Sequence, residues 1–479
     1  MTTAPPPDRP THVESWGMVQ SAECFVRRPT TVDDIRAALE EGRRSGRKVG
    51  LRGTGNSYGD AALNSGGLLL DLAAMNRILE WDPAGGLMIA EPGVAIADMW
   101  KKIVGDGWWP PVVSGTMKTS LGGAAAMNIH GKNNFAAGTV GKHIRWFEML
   151  LADGTIMKAS REENADVFHA AIGGLGMLGC FTKLAIGMKK VGSGLVRVEP
   201  LAVRDFAHVV DMLLELEGKS DYLVGWHDAF GTGKSLGRGL VHRASHLAAS
   251  EDAAPQESCR VDRQELPANF FFVIPKSWLW LGLWFFLNDP GMRLVNFAKY
   301  RSGLSHAKRG AYLQPHAAYH FLLDYVPNWK FAYKPGGLVQ YQVFIPKAHA
   351  ARVFGRLVTT ARADGFTPYL LVTKRHHPDP FLLTHAVDGF SMAMDFRIAP
   401  RRFENFKRIA RALDEIVCDA GGRFYFAKDS VMTPATLERS YPKENVAAFR
   451  ALKARLDPES LFETDLWRRV FSAPPAPLS

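Results

Sequence analysis

Hydrophobic and polar residues follow different patterns on either side of residue 194. In the first part, short apolar runs are separated by amphipathic segments, a pattern typical of α/β structure. Residues 31–42 have apolar side chains at helical spacing, and Thr31 is followed three residues later by Asp34. This arrangement predicts a helix with Thr31 as its N-cap.

Further elements are predicted in the same part of the chain. Apolar runs predict strands at 66–72 and 86–94, and residues 96–107 predict a helix that ends at a glycine. The pair Asp153–Gly154 between two apolar stretches predicts a hairpin. Residues 164–191 predict a helix, a glycine-rich turn and a strand, so strands and helices alternate up to residue 191.

After residue 194 the pattern predicts longer elements. An amphipathic helix at 203–218 and a strand at 222–230 precede a polar, Ala- and Ser-rich stretch at 245–268, which predicts a loop or insertion. The later part predicts strands at 337–346, 367–376, 390–399 and 423–430, and helices at 348–365 and 401–422. This order predicts an α+β fold with a largely antiparallel sheet and helices on one face.

Alternation within these strands places polar side chains on one face of the sheet. Gln340 and Gln342 share one face of their strand, and Ser391 and Asp395 share a face of theirs with Ala393 between them. Lys374 and Arg375 end another strand. An antiparallel sheet often has one face in water, which is the simple interpretation. A face directed at a ligand would show the same residues, and the pattern leaves both interpretations open.

One segment, residues 270–287, is strongly apolar and rich in Trp and Phe. Pro275 and Lys276 interrupt it, so its unbroken part is shorter than the roughly 20 residues of a membrane-spanning helix. The simplest expectation is a buried insertion. The alternatives are a patch that dips into a bilayer surface, where Trp is favoured, or an apolar lid over a lipid-like substrate.

Composition restricts the class of protein. The chain has 479 residues, of which 47% are hydrophobic and 22% charged, as in a folded globular protein of two or three domains. Its net charge of +10 favours acidic or phosphorylated ligands, but no dense basic run suggests nucleic acid as a partner. The four cysteines are widely spaced and predict neither a metal site nor a disulfide framework.

The segment GTGNSYGD at 53–60 contains a Gly-x-Gly after a predicted strand. A nicotinamide-binding Rossmann turn needs a helix directly after its glycines, and the residues that follow here return to a strand. Two more glycine-rich segments lie at 114–133 and 172–180. They are either packing turns or a backbone cradle for an extended dinucleotide, and three together favour the cofactor.

These segments resemble a known family. RGTGNSYGDAALNSGGLLLDL, EPGVAIADMW, PPVVSGTMKTSLGGAAAMNIHGKNNFAAGTVGKHI and IGGLGMLG resemble the FAD domain of the vanillyl-alcohol oxidase and p-cresol methylhydroxylase superfamily. NSYGDAALN, NIHGKN, YKPGGLVQYQVFIP, GGRFYFAKDS and RLDPESLFETDLWRR resemble the branch that oxidises polyprenylphosphoryl ribose. The resemblance to this branch covers most of the chain.

The resemblance implies a two-domain flavoprotein. Residues 1–195 and 415–479 would form the FAD-binding domain, and 196–414 the substrate-binding domain, with an apolar insertion near 268–290. The implied reaction is oxidation of a secondary alcohol, the 2-hydroxyl of the lipid-linked ribose, to a ketone by hydride transfer to flavin N5. That step would be the first half of an epimerisation in cell-wall precursor synthesis, completed by a partner reductase.

The resemblance also implies the site residues. The cofactor-binding residues would be Gly53, Thr54, Gly55, Asn56, Ser57, Tyr58, Gly59, Gly115, Thr116, Gly122, Gly123, Met127, Asn128, His130, Gly131, Asn133 and Gly138. The substrate-binding residues would be Gln340, Gln342, Lys374, Ala393 and Lys428. The catalytic residues would be Lys428, Tyr58 and His130.

Lys428 carries the strongest expectation of a catalytic role. Strand alternation predicts that it shares a face with Phe424 and Phe426, and that Tyr425 lies opposite. A lysine there either extends to water or is held in a site, where it stabilises a developing negative charge or acts as a base. His130 is a catalytic base or a structural hydrogen-bonding residue.

Two positions depart from the pattern of relatives. Asn56 occupies the position of a histidine that bonds covalently to the flavin in many members, so we expect dissociable FAD. Ala393 occupies the position of a reactive cysteine in the polyprenylphosphoryl-ribose branch, so an agent that needs that thiol should fail here.

Alternatives remain at this stage. The chain could be a sugar-lactone or polyol oxidase, a sterol-type reductase, or a membrane-associated protein that keeps the FAD fold without turnover. The expected location is the cytoplasm, with a peripheral contact at the inner face of the membrane through 270–287 as the alternative.

Overall fold

The computed structural model describes residues 9–267, 269–270 and 274–472. The strands are β1 (Thr11–Glu14), β2 (Ser21–Arg27), β3 (Val49–Arg52), β4 (Leu68–Asp71), β5 (Ile78–Asp82), β6 (Leu87–Ala90), β7 (Trp108–Trp109), β8 (Ile144–Leu150), β9 (Ile156–Ser160), β10 (Cys180–Gly187), β11 (Lys189–Lys190), β12 (Leu195–Val203), β13 (Tyr222–His227), β14 (Gly239–His246), β15 (Asn269–Phe270), β16 (Ile274–Pro275), β17 (Tyr312–Pro315), β18 (Gly337–Pro346), β19 (Leu370–His376), β20 (Gly389–Ile398) and β21 (Arg423–Phe424).

The helices are α1 (Val32–Ser45), α2 (Ile96–Ile103), α3 (Leu121–Ala126), α4 (Asn134–Ala137), α5 (Ala165–Ala171), α6 (Phe206–Leu216), α7 (Pro255–Ser258), α8 (Val261–Gln264), α9 (Leu279–Phe286), α10 (Asp289–Arg309), α11 (His316–His320), α12 (Ala350–Ala363), α13 (Phe403–Asp419), α14 (Pro434–Ser440), α15 (Lys443–Leu456) and α16 (Asp465–Phe471).

Helix α1 shows why local signals succeed in the first part of the chain. The Thr31 hydroxyl accepts a hydrogen bond from the Asp34 backbone N–H at 3.1 Å, and the Asp34 carboxylate accepts one from the Thr31 backbone N–H at 2.9 Å. Gly46 ends the helix in the left-handed conformation, with φ of 66°. The predicted N-cap is confirmed because these contacts depend only on neighbouring residues.

Two large sheets and a two-stranded pair of β7 and β11 are built from the first 190 residues. A four-stranded sheet has the order β1-β2-β4-β3, in which β4 runs parallel to both of its neighbours. An antiparallel five-stranded sheet has the order β5-β6-β10-β8-β9. The predicted strands, the second helix and the hairpin at Asp153–Gly154 are confirmed.

The third large sheet is an antiparallel one of eight strands, β17-β12-β14-β13-β19-β20-β18-β21. Helices α6, α12 and α13 pack on one of its faces. The hydroxyl of Tyr341, on that face, donates to the Asp414 carboxylate of α13 at 2.7 Å. The prediction of mixed α/β structure with antiparallel strands is confirmed. The prediction of helices on one face is wrong, because α10 packs against β12 and β14 on the opposite face, which also carries the site described below.

The C-terminal residues return to the N-terminal part of the chain. The Glu463 backbone N–H donates to the Val49 carbonyl at 2.9 Å, and the Arg469 guanidinium pairs with Asp60 at 2.6 Å. The division into two domains stays a prediction. Its boundary between residues 414 and 415 falls inside α13, however, and β21 still belongs to the eight-stranded sheet, so we move that boundary to a position after Phe424.

The expectation of a buried apolar insertion at 270–287 is wrong for most of the large apolar side chains that are described. Trp278 is 65% exposed and Phe285 is 70% exposed, whereas Leu287 is buried. Residues 271–273 lie outside the described residues. The segment leads through α9 into α10, a helix of 21 residues that the pattern did not predict. Within 9–267, 269–270 and 274–472, no helix has both the length and the apolar character to cross a membrane.

The polar stretch at 245–268 also differs from the predicted loop. It contains the short helices α7 and α8, and the buried Gln264 amide donates to the Gly194 carbonyl at 2.7 Å. A few hydrogen bonds to distant backbone therefore order a stretch whose composition resembles that of a loop.

Candidate cofactor and substrate site

A cavity of about 490 Å³ lies between the glycine-rich loops and the face of the eight-stranded sheet opposite α6, α12 and α13. Its volume is within the range of roughly 300–1,000 Å³ that is usual for small-molecule sites. Residues from both ends and from the middle of the chain line its wall, so the cavity exists only in the folded protein.

The register of the sheet explains which side chains form one wall. Gln342 is paired with Ala393 across β18 and β20, Ala393 with Val372 on β19, and Val372 with Trp226 on β13. Paired residues of neighbouring antiparallel strands point to the same face. The cavity-lining residues on this face are Gln340, Gln342, Ala393, Asp395, Leu370, Val372, Lys374, Val224, Trp226 and His242. The polar face of the sheet is thus turned towards a cavity and is not the ordinary solvent face.

The opposite wall is made by the first two glycine-rich loops, which hold each other. The Ser120 backbone N–H donates to the Thr54 hydroxyl at 3.1 Å, and the Asn56 amide donates to the Lys118 carbonyl at 3.1 Å. A methyl group added at Gly53 would collide with the Ser120 hydroxyl. Only a residue without a side chain allows this close approach, which leaves backbone N–H groups available to a ligand.

Most of the predicted cofactor residues line the cavity. These are Gly53, Thr54, Asn56, Ser57, Tyr58, Gly115, Thr116, Gly122, Gly123, Met127, His130 and Gly131. A narrow cleft of small residues and backbone, with Arg52 and Lys118 on its wall, suits an extended dinucleotide that carries a pyrophosphate. FAD therefore fits the residues that are present.

Five predicted cofactor residues do not line the cavity. They are Gly55, Gly59, Asn128, Asn133 and Gly138. The Asn128 amide donates to the Asp379 carboxylate at 3.0 Å, and the Asn133 amide donates to the Pro111 carbonyl at 2.8 Å. These side chains hold the shape of the loop.

Lys428, Tyr58 and Asp395 form the chemically most unusual part of the wall. The Lys428 ammonium lies 3.4 Å from the centroid of the Tyr58 ring. Burial lowers the pKa of Lys428 to about 7, against the opposing effect of Asp395, and burial raises the pKa of Asp395 to about 6. Both groups can therefore change protonation state near neutral pH, as groups that move protons in active sites commonly do.

Asp395 was not selected from the sequence as a site residue. One of its oxygens accepts a hydrogen bond from the Gln340 amide at 2.5 Å, and the other has no partner among the described residues. The Tyr58 hydroxyl, also buried, has none either. Buried polar atoms without a partner are costly, which indicates that a ligand completes this part of the site.

His130 lies in contact with the sheet. Its Nε2 is 2.9 Å from the Gln342 amide nitrogen, and its ring packs against His376 at 4.9 Å between centroids. Burial, and then nearby positive charge, lowers the pKa of His130 well below its ordinary value. His130 is therefore neutral near pH 7 and suited to hydrogen bonding.

The local structure around Lys428 corrects one prediction. Residues 425–428 form a turn, in which the Lys428 backbone N–H donates to the Tyr425 carbonyl at 2.9 Å, and only Arg423–Phe424 is a strand. Strand alternation does not apply to a turn, so Tyr425 lines the cavity together with Lys428. The expectation that Tyr425 lies opposite Lys428 is therefore wrong.

Sequence reasoning also missed a group of basic side chains at the other end of the cavity. These are Lys132, Lys299, His242 and His320. Lys132 directly follows the NIHG segment, so proximity to a recognised loop was a usable signal. His242, His320 and Lys299 come from elements with no motif, and only folding brings them to the wall. In the described part of the chain, no cluster of His, Cys, Asp and Glu could hold a metal ion.

The comparisons with known proteins agree with this geometry. Residues 24–160 match the family model described as FAD binding domain. The chain is 28% identical to decaprenylphosphoryl-β-D-ribose oxidase of Mycolicibacterium smegmatis, over 98% of this chain and 99% of that protein. It is 21% identical to a putative D-arabinono-1,4-lactone oxidase of Neurospora crassa, over 94% of this chain and 84% of that protein. L-gulonolactone oxidase of Mus musculus is 28% identical over 32% of this chain and 34% of that protein.

The matched domain includes the first two glycine-rich segments, and the likeness to the ribose oxidase covers the sheet and the turn around Lys428 as well. The cofactor is FAD. The protein is an FAD-dependent oxidoreductase that resembles the vanillyl-alcohol oxidase and p-cresol methylhydroxylase superfamily.

Proposed function

We propose that the protein oxidises a secondary alcohol of a sugar to a ketone, and that the substrate is a ribose attached to a polyprenyl phosphate, oxidised at its 2-hydroxyl. The observation that carries the proposal is the position of Lys428 on the cavity wall, against Tyr58 and near Asp395. The likeness to decaprenylphosphoryl-β-D-ribose oxidase supports this choice of substrate. FAD, when bound, supplies the hydride acceptor.

The proton of the reacting hydroxyl would be taken by Lys428. A lysine with a pKa of about 7 is largely neutral above that pH, and a neutral amine can accept a proton. Asp395 lies close enough to favour the charged form of Lys428 once the proton has arrived. The negative charge of Asp395 would then stabilise protonated Lys428 until the proton is released to solvent.

Orientation of the sugar would come from the sheet wall and from Tyr58. Gln342 is buried, Gln340 and Lys374 are half-buried, and all three line the cavity. The unpartnered Tyr58 hydroxyl is available to a sugar hydroxyl. At Ala393, which is 8% exposed, the wall presents only a methyl group, so no thiol is available for covalent attack.

We further propose that FAD is held without a covalent bond. The Asn56 side chain is engaged with Thr54 Oγ1 at 2.9 Å and with the Lys118 carbonyl. An amide in this position is a hydrogen-bonding group and cannot replace an imidazole as a nucleophile towards the flavin. Acid precipitation should therefore leave the flavin in the supernatant, and flavin that remains on the protein would contradict this part of the proposal.

The substrate is tested by reduction of the flavin without oxygen. The holoprotein is mixed anaerobically with farnesylphosphoryl-β-D-ribose, and loss of the flavin absorbance is followed. Rapid bleaching by this compound, and none by farnesyl phosphate, is the expected result. Failure to bleach with the ribose compound would overturn the proposed substrate.

Lactone oxidation is the second candidate, and the two lactone-oxidase relatives favour it. It shares the FAD domain but needs no site for a phosphate or a lipid chain. Bleaching by L-gulono-1,4-lactone and not by the ribose compound would establish it in place of the first proposal.

A ketone product would need a separate reductase to give the epimer, and we propose such a partner. We also propose a peripheral contact between the exposed apolar residues of α9 and a membrane, since the lipid chain of the substrate resides there. Both proposals depend on the proposed substrate.

A further inference from the structure

Four basic side chains meet at the end of the cavity away from Lys428 and Gln342. Lys132 and His320 are buried, His242 is half-buried, and Lys299 is exposed while lining the cavity. They come from four elements or loops far apart in the chain. Their meeting in one wall therefore depends on the tertiary structure alone.

Helix α10 brings Lys299 to this wall because the helix lies close to the sheet at Gly303, one turn after Lys299. A methyl group at Gly303 would collide with the Leu240 side chain of β14 unless that side chain moved, so glycine favours this close approach of α10 to the sheet. Residues four apart lie on the same face of a helix. Lys299 is accordingly directed at the sheet, with its ammonium 4.4 Å from the centroid of the Trp226 ring.

The positive charge at this end is not neutralised. Among the described residues, no acidic side chain shifts the pKa of Lys132 or Lys299. Desolvation lowers the pKa of Lys132 to about 7 and that of Lys299 to about 8, and desolvation also lowers the pKa of His242 to about 4. Lysine side chains that line a cavity without counter-charges favour an anionic ligand, and the two histidines, neutral near pH 7 because burial lowers their pKa values, can add hydrogen bonds.

The contacts of these side chains leave donors free. The Lys132 ammonium donates to the Tyr319 carbonyl and lies 4.1 Å from the Tyr319 ring, which uses one of its three N–H groups. Lys299 Nζ and the His242 ring have no hydrogen bond in the described part of the protein, and the buried His320 Nε2 has no partner there. A phosphate group has the several acceptor oxygens that such donors need.

The position of these basic side chains beside the sheet wall suits a phosphate that is attached to a sugar. Trp226, below the Lys299 ammonium, lies on β13, directly beside the strand that carries Lys374. Neighbouring strands are about 4.8 Å apart, which is comparable to the length of a sugar ring. A sugar lying over Val372 and Lys374 would therefore place an attached phosphate near Lys299.

The same helix offers an apolar surface outside the cavity. Leu294 is 58% exposed and Phe297 is 51% exposed on α10, and Phe285 is exposed on α9. A ligand with a phosphate at the cationic wall and an apolar chain would bury this surface, whereas a free sugar phosphate would leave it in water.

We propose that Lys132, Lys299, His242 and His320 form a subsite for the phosphate of an amphiphilic substrate whose apolar chain follows α10 and α9. The subsite extends beyond the glycine loops suited to the pyrophosphate of FAD. Lys132 lies near the end of the second loop, whereas His242 and Lys299 belong to the eight-stranded sheet and to helix α10. This inference rests on the proposed function and names the residues that recognise the lipid phosphate.

The test measures binding of farnesyl phosphate to the FAD-loaded protein by isothermal titration calorimetry. Farnesol and inorganic phosphate are the comparison ligands. Farnesyl phosphate should bind at least about tenfold more tightly than either, since each comparison ligand lacks one half of the recognised chemistry. Equal binding of inorganic phosphate would show a site for free phosphate, and equal binding of farnesol would show an apolar site. Either result would overturn the proposal.

Two variants test whether the phosphate group binds at Lys299 and His242. Lys299→Gln and, separately, His242→Gln should weaken binding of farnesyl phosphate by about tenfold, the loss of one charge-assisted contact, while binding of farnesol is unchanged. Lys308→Gln, on an exposed position of the same helix, is the matched control and should bind like the wild type. If neither variant differs from Lys308→Gln, the proposal is wrong.

The outcome is distinguishable from that of the proposed function. Flavin bleaching by the ribose compound reports the reaction, whereas calorimetry with farnesyl phosphate reports the subsite. Tight binding that depends on Lys299, without bleaching, would retain the subsite and reject the reaction. Bleaching by the ribose compound, together with binding of farnesyl phosphate that does not depend on Lys299 or His242, would retain the reaction and reject the subsite.

Discussion

The two walls of the cavity are built in different ways. The loop wall uses glycines and small residues that are close together in sequence, and Gly53, Thr54 and Ser120 hold it through backbone contacts. The sheet wall uses large polar and charged side chains from β18, β20, β19, β13 and β14. The first wall suits the invariant phosphates of a cofactor, and the second suits a substrate whose shape must be recognised.

The difference shows how one cavity can hold two ligands. Backbone N–H groups in a tight loop bind a phosphate whatever the neighbouring side chains are. Side chains on a sheet face can be exchanged without disturbing the backbone, so the substrate can change while the cofactor does not. Changes in the sheet wall should therefore affect the reaction, and changes in the loop wall should affect cofactor binding and stability.

Replacement of Lys428 should have the largest effect. Lys428→Ala should slow anaerobic flavin reduction by about 10²–10⁴-fold, the usual contribution of a proton-transfer group, while FAD stays bound. Lys102→Ala, at an exposed position of α2, is the control and should reduce at the wild-type rate. Unchanged reduction in Lys428→Ala would remove this residue from the mechanism.

The loop wall is tested at Gly59, which belongs to the first glycine-rich loop but does not line the cavity. A methyl group there would collide with the Asp429 carbonyl, so Gly59→Ala should lower the free energy of unfolding by about 1–3 kcal/mol and weaken FAD binding. Urea unfolding and the bound flavin fraction measure both effects. Gly105→Ala, where no atom lies within 4 Å, should leave both unchanged. Loss of activity in Gly59→Ala with normal FAD content would contradict the division between the walls.

The pH dependence follows from the pKa of Lys428. Because a base must be unprotonated, kcat/KM should fall about tenfold for each pH unit below about 7 and level off above it. A stopped-flow profile of flavin reduction between pH 5 and 9 measures this. The opposite slope, with activity lost as the pH rises through 7, would show that the charged form is required and that Lys428 stabilises negative charge instead.

The smallest expected effect concerns the apolar surface beyond the sheet wall. Phe285→Ser should weaken binding to phosphatidylglycerol-containing vesicles several-fold, because burial of a large apolar side chain contributes about 1.5–3 kcal/mol at most. Vesicle flotation measures the bound fraction. Ile156→Ser, an exposed apolar position on β9, is the matched control. Equal binding of both variants would show that α9 does not contact the membrane.

Prediction from the sequence succeeded where neighbouring residues decide the structure. The N-cap at Thr31 and the elements β18, α12, β19, β20 and α13 were predicted because their polar and apolar periods are regular. It failed at 425–428, where an apolar run with strand-like alternation forms a turn. That turn is held by a distant loop, since the Tyr58 backbone N–H donates to the Ala427 carbonyl at 2.9 Å.

Helix α10 was missed for a related reason. Its sequence includes Gly291 and Gly303, and both its outer and inner surfaces carry apolar residues, so no amphipathic stripe marks it. The close approach at Gly303 that fixes its position depends on Leu240, more than sixty residues earlier. No local period can report such a contact.

The sequence by itself determined the cofactor class and the order of most strands and helices, because these follow from local motifs and regular periods. The role of Lys428 was expected from the family resemblance and stays a proposal. Only the tertiary structure decided that the polar sheet face encloses a cavity, that Asp395 and Tyr425 belong to its wall, and that Lys132, Lys299, His242 and His320 meet. The physical reason is that pKa shifts, unpaired charges and cavities arise from what lies beside a group in space, and those neighbours come from distant parts of the chain.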